Sequence, residues 1–216
     1  FAGGTAQDVN QINWNWISQY DSNGSAFLDL NTVSDIIDFT QIDESYLEMC
    51  QIADTQAGIP ISMTGRILYW DKTTFDEVGI EVPTSYEELL AAGEAFAAYD
   101  DDYYPIALGE FDRMIFMVYY LESVYGKDWV VDGELQYTEE EIAEGLNFIQ
   151  GLEDAHVIPS IATITGDGAS SLDQNQKWIE GKYAGIFEWD SSAKKFHDAL
   201  AEGREMVVGD YFADYG

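Results

Sequence analysis

Basic residues are scarce in this chain: 9 Lys and Arg stand against 41 Asp and Glu in 216 residues, a formal charge of −32. A field of that sign repels phosphate backbones and anionic headgroups, which argues against nucleic acid and acidic membrane surfaces as partners and leaves neutral ligands open. Much of the acidity reads as a solvated surface that keeps the protein dissolved. Cysteine is nearly absent. Cys50 is alone, so no intrachain disulfide can form, and its spacing from Tyr46 and Leu47 in a predicted helix over 43–52 makes it a core thiol. His156 and His197 are the only histidines, too few for a Cys/His zinc cluster, and neither metal nor cofactor is expected. No apolar run approaches the roughly 20 residues that cross a bilayer. Internal repeats and low-complexity linkers are missing, and Gly3-Gly4 and Gly166-Asp167-Gly168 lack the context of a phosphate-cradling loop. What remains, 46% hydrophobic and 14% aromatic, suffices for one large domain or two small lobes.

The organising stretch is Gly58 to Phe75. An apolar entry, Ile59-Pro60-Ile61, passes through a polar break, Ser62 to Arg66, into a second apolar burst, Ile67-Leu68-Tyr69-Trp70, and stops at Asp71-Lys72. The pattern predicts two short strands joined across a ligand-sized gap. Pro83 and a Thr84-x-x-Glu87 capping box then announce a helix. In order and spacing, Gly58-Ile59-Pro60, Trp70-Asp71-Lys72, Phe75, Gly79 and Pro83-Thr84-Ser85-Tyr86-Glu87-Glu88-Leu89 resemble the hinge crossover of family 1 extracellular solute-binding proteins, the sugar-binding receptors of bacterial ABC importers. The resemblance implies an α/β, periplasmic-binding-protein-like fold of two lobes with a ligand cleft at the hinge. It implies a partial first lobe over 1–63, most of the second lobe over 64–208, and the start of the return toward the hinge over 209–216. Phe1 is not a start methionine and no signal segment or lipobox is visible. Beside the family, the chain looks like a partial one, lacking the opening βαβα segment and the C-terminal helices.

Along the chain, residues 3–9 predict a short strand that empties into Asn10-Gln11-Ile12-Asn13-Trp14-Asn15-Trp16. Sugars present flat C–H faces, which suit indoles, and vicinal hydroxyls, which suit amides and carboxylates. Gln11, Asn13, Trp14, Asn15 and Trp16 supply both, and in the family the loop at this place lines the cleft; one Trp in the core and the other in a surface patch is the plain alternative. Tyr20 to Ser25 is a turn; it carries an Asn-Gly-Ser sequon and only a faint echo of a calcium loop. Phe27 to Leu30 resembles a packing element of the family. Residues 84–99 predict an amphipathic helix, 103–108 a strand, 115–125 a helix apolar nearly all round and hence buried, and 129–137 a hairpin. Thr138 with Glu141 forms a second capping box, 159–168 is a predicted loop, and 171–180 a helix that turns Trp178 inward.

The family places a cleft loop after the 103–108 strand, which makes Glu110, Asp112 and Arg113 polar candidates, with Thr64 and Arg66 from the crossover. A helix cap by Asp112 with a local Arg113 ion pair is the structural alternative. The run Trp178 to Asp190 resembles the family's "F..GK.AM…g.W" segment, with Gly185 in place of the usual Met and Glu188 in place of the glycine. It makes Trp189 the sugar-stacking candidate, flanked by Glu188 and Asp190. The function implied is capture of an oligosaccharide by lobe closure and delivery to the permease subunits of an ABC importer. The receptor would be extracellular, a cell-surface lipoprotein or periplasmic, a monomer when complete, and without catalytic residues. Two alternatives stay open: the same fold carrying a polyamine or metal-type cargo, which the acidity favours, or a glycoside hydrolase using Glu110 with Glu188, or Asp112 with Asp190.

Overall fold

The computed structural model describes residues 7–131, 133–210 and 212, and the chain divides into two units, Phe1–Met63 and Thr64–Gly216. The first 63 residues hold nine Asp and Glu and no Lys, Arg or His, and their acids do local work. Asp29, Asp38 and Asp43 each accept the backbone N–H two residues on and so open a helical turn; the last begins α2 (Glu44–Glu48). Asp21 is buried and accepts the N–H groups of Asn23, Ser25, Ala26 and Phe27. Burial pushes its pKa up, but those four donors outweigh it and hold the carboxyl at about 2. Before these, a 3-10 turn over Trp14–Trp16 runs into α1 (Ile17–Tyr20), and Ile17 alone of that stretch is buried. The predicted strand over 3–9 is not seen at 7–9; residues 3–6 lie outside the described residues.

Cys50 is buried, as expected, and burial pushes its thiol pKa up. The helix around it is shorter than its spacing suggested. It ends at Glu48, and the chain turns through Ala53, at φ 50°, into the hairpin of β1 (Gln51–Ile52) and β2 (Thr55–Gln56). Buried Gln56 ties that hairpin down, donating to the Leu47 and Gly58 carbonyls at 3.0 and 2.8 Å. The strand expected at Ile59–Ile61 does not form: Pro60 has no N–H to give a ladder, and Ile61 and Met63 are exposed.

In the larger unit the run Ile67-Leu68-Tyr69-Trp70 becomes β3 (Arg66–Asp71), which leads directly into α3 (Lys72–Val78). An apolar side chain at each of the four central positions suits a strand covered on both faces. Leu68 and Trp70 enter one core with Phe75, Leu89, Phe96, Phe116 and Phe187; Tyr69 and partly buried Ile67 enter a second with Trp178, Tyr183, Ile186 and Phe196. The first core is closed by α4 (Tyr86–Tyr99) and α5 (Glu110–Tyr125). The predicted hairpin is present as β4 (Val130–Val131) and β5 (Glu134–Leu135), and α6 (Glu139–Asp154) starts at the Thr138–Glu141 capping box. Next come α7 (Ile161–Gly166), α8 (Gln176–Ile179), β6 (Gly185–Trp189), α9 (Ala193–Ala199) and β7 (Met206–Val208). The sheet order is β6-β3-β7, antiparallel on both sides of β3.

Several boundaries differ from the pattern. The cap of α4 is Ser85, whose hydroxyl accepts from Glu88 N–H, while the Glu88 carboxylate reaches back to Thr84; the box sits one residue later than Thr84–Glu87. Residues 103–108 run parallel to β6 through the bridges Tyr104↔Tyr183 and Ala107↔Ile186, and Pro105 interrupts the ladder between them. The helix over 110–125 is not buried all round: Phe111, Met114, Tyr119 and Tyr125 are exposed. Inside the predicted 159–168 loop, Ser160 caps α7 through Thr163 N–H.

The Gly185 that replaces the family's Met has a packing reason. A Cβ there would lie 2.4 Å from the Trp70 ring and 2.6 Å from the Pro105 carbonyl. Trp70, fully buried and directly across the ladder, fills the space that a side chain on 185 would take. Gly185→Ala is therefore expected to cost at least the ~1–3 kcal/mol of an overpacked core. A denaturation midpoint unchanged from the parent would refute that packing account.

Candidate ligand site on the larger unit

Arg66 opens β3 and shares a sheet face with Leu68, Trp70, Phe187 and Trp189, its cross-strand partner. Its side chain is 6% exposed. Nη1 donates to Asp112 and, at 2.8 Å, to the Phe187 carbonyl. Asp112 sits in the first turn of α5 and its second oxygen accepts Gly109 N–H at 3.1 Å, so one carboxylate ties the helix start to the guanidinium. The ring centroids of Trp189, Phe111 and Phe187 lie 5.0, 5.2 and 5.5 Å from the guanidinium carbon, within cation–π range. Phe111 and Trp189 remain 55% and 40% exposed, an aromatic surface on an α/β scaffold with a fixed cation behind it. Beside it, Arg66, Tyr119, Ser123, Phe187 and Asp210 help line a cavity of about 100 Å³. That is well under the ~300 Å³ at the lower end of small-molecule pockets.

The other candidates take different places. Glu188 alternates to the opposite sheet face and accepts Trp189 N–H at 3.2 Å. Burial raises its pKa, Arg66 draws it down and Asp112 pushes it up. Below it, the Tyr69 hydroxyl is raised by burial and by the charges of Asp190 and Glu188. Asp190 opens a 3-10 turn, accepts Ser191 N–H at 2.7 Å and gives its own N–H to Gly65 at 2.9 Å. Thr64 and Glu110 are exposed. Arg113 is buried and fully occupied by protein: Nε donates to Leu108 O at 3.1 Å, Nη1 to Glu153 at 2.6 Å and Nη2 to Pro159 O. The ion pair of Asp112 is therefore with Arg66, from another element, and not with its neighbour Arg113.

Phe111 was not among the residues singled out from the sequence. Its phase gave the signal: the buried positions of α5 are Arg113, Phe116, Met117 and Leu121, and Phe111 falls off that stripe. On the smaller unit, Trp14 and Trp16 are 60% and 43% exposed, with Gln11, Asn13 and Asn15 exposed beside them in sequence, so neither indole is a core residue of that unit. Among the described residues no group of three or more His, Cys, Asp or Glu is arranged to hold a metal, and no helix is long and apolar enough to cross a membrane.

The family model of bacterial extracellular solute-binding proteins matches residues 1–211. Comparison with curated protein sequences gives no match. Among solved structures, a periplasmic oligogalacturonide-binding protein from Yersinia enterocolitica in complex with saturated digalacturonic acid is 33% identical, with a TM-score of 0.87 over 98% of this chain and 53% of its own. A periplasmic solute-binding protein from Pectobacterium atrosepticum SCRI1043 is 30% identical, with a TM-score of 0.89 over the same shares. A de novo designed esterase is 32% identical, with a TM-score of 0.89 and again 98% and 53%. The chain thus spans about half the length of the structures it matches, and its mixed helix–strand architecture is that of their periplasmic-binding-protein fold. By its sequence and its fold, the chain belongs to the bacterial extracellular solute-binding proteins.

Proposed function

We propose that this chain is part of a receptor that captures an oligosaccharide outside the cytoplasm and hands it to the permease of an ABC importer. The observation that carries the reading is the pair of exposed rings, Phe111 and Trp189, packed on a guanidinium held by Asp112 and the Phe187 carbonyl. Flat rings accept the C–H faces of a pyranose, and fixed polar groups beside them read its hydroxyls. Asp190, Thr64 and Glu110 are the polar groups nearest in sequence to this surface, and Glu188 supports it from the opposite sheet face. Trp14 and Trp16, with Gln11, Asn13 and Asn15, form a second candidate surface on the smaller unit. Arg113, engaged on all three nitrogens, is left out. The oligogalacturonide bound by the 33% identical Yersinia protein supports a sugar as the ligand class. Binding, without chemistry, is the action that family and site support.

The test is binding by the full-length protein to an oligosaccharide panel, read by thermal shift and calorimetry with product analysis of each mixture. A saturating sugar, at about 100 times its dissociation constant, stabilises by about 2.7 kcal/mol. Trp189→Ala and Phe111→Ala are each expected to weaken binding by about 1–3 kcal/mol, by analogy with nucleic-acid bases stacked on aromatic side chains. No shift with any sugar, a shift with spermidine alone, or released product would each overturn the reading.

A further inference from the structure

Each of the nine Lys and Arg side chains pairs with a carboxylate, but the three arginines are not equally occupied. Arg113 has all three nitrogens engaged. In Arg204 the Nε–Nη2 edge is taken by Asp71 and Thr74. Arg66 uses only Nη1: its Nε is buried without a partner, and Nη2 has none among the described residues. The free edge is the one that presents two parallel N–H donors, the fork that matches the two oxygens of a carboxylate.

We propose that Arg66 reads a carboxylate on the ligand, so that the captured oligosaccharide carries uronic acid units. The proposal rests on the sugar-receptor reading and narrows it. Asp112 and the Phe187 carbonyl hold the guanidinium by Nη1 and so orient the remaining edge, while Phe111 and Trp189 offer a sugar ring its stacking surface beside it. A planar anion matches both unpartnered donors of that edge at once; a single hydroxyl matches one. Charge at a distance acts the other way, since a chain of −32 repels an acidic sugar. Salt screens that repulsion, so the association rate of the acidic sugar rises with ionic strength while that of a neutral sugar stays level.

The experiment is calorimetric titration of the full-length protein with a panel of uronic acid trisaccharides, each beside its carboxyl-reduced neutral counterpart. The best acid is expected to bind about 10- to 100-fold more tightly than its neutral form, the range for hydrogen bonds to a charged group. Arg66→Lys, which keeps the charge and loses the fork, should bring the ratio of acid to neutral affinity close to one. The comparison of ligands needs no variant, so it stands even where Arg66→Lys folds poorly. Equal affinity for acid and neutral form, binding of neutral sugars only, or an Arg66→Lys protein that still prefers the acid by the parental factor would overturn the carboxylate assignment and leave the receptor reading intact. No binding by any sugar would overturn both.

Discussion

Arg204→Met is expected to destabilise the larger unit by about 3–5 kcal/mol at neutral pH, the cost of stripping one partner from a buried ion pair. Asp71, at the end of β3, is fully buried, and among the described residues Arg204 is the one cation paired with it; the same guanidinium also holds the Thr74 hydroxyl, which donates to Gly181 O at 2.7 Å. Burial already raises the Asp71 pKa, while the hydrogen bond and charge of Arg204 pull it down. A carboxyl whose folded pKa is raised gives its full contribution below about pH 4, the ordinary aspartate range, and loses it as pH rises through the folded value. Removing Arg204 raises that folded value further, so the deficit should be smallest in acid and grow toward neutrality. Denaturant unfolding of parent and variant across pH checks this, and a deficit that does not vary with pH would refute the assignment to Asp71. Asp71→Asn added to Arg204→Met should restore part of the loss, since the uncompensated charge is then gone.

Arg113→Met is the second large effect, and it separates frame from site. Its guanidinium joins the start of α5 to Leu108, Pro159 and Glu153 at the end of α6. The expected loss is about 3 kcal/mol, the low end for a broken buried pair, because Glu153 stays in contact with water. Sugar affinity should persist wherever the variant is folded. A protein of parental stability that no longer binds would return Arg113 to the ligand.

The contrast between the two arginines shows where sequence reasoning reached its limit. Asp112, Arg113 and Arg66 were all legible as a polar group near a ligand, but chain neighbours do not decide which cation a carboxylate meets. Asp112 points to β3, 46 residues away in sequence, and only the fold settles that. Local chemistry was legible wherever it is self-contained. The apolar run of β3, the Thr138 box of α6 and the hairpin before it follow from residue order alone. The start of α4 was missed by one residue because Thr84 and Ser85 are both competent caps, with Glu at both 87 and 88. Helix α7 escaped because Pro159, Ser160 and the glycines around Asp167 mark a loop, while Ile161-Ala-Thr-Ile-Thr is too short to show a period. Phe111 was passed over because an aromatic beside an apolar helix reads as core until the buried stripe is known.

The six tryptophans divide by depth. Trp70 and Trp178 are fully buried, Trp129 packs on Tyr137, and Trp14, Trp16 and Trp189 stand on the surface. Optically this makes two reporters in one chain. The buried indoles emit toward the blue and follow unfolding, whereas the surface indoles emit toward the red and are the ones that belong to the proposed sugar surfaces. Acrylamide, being neutral, can reach the exposed set where iodide is held off by the protein's charge, so protection from acrylamide on adding sugar would register occupancy with no label attached.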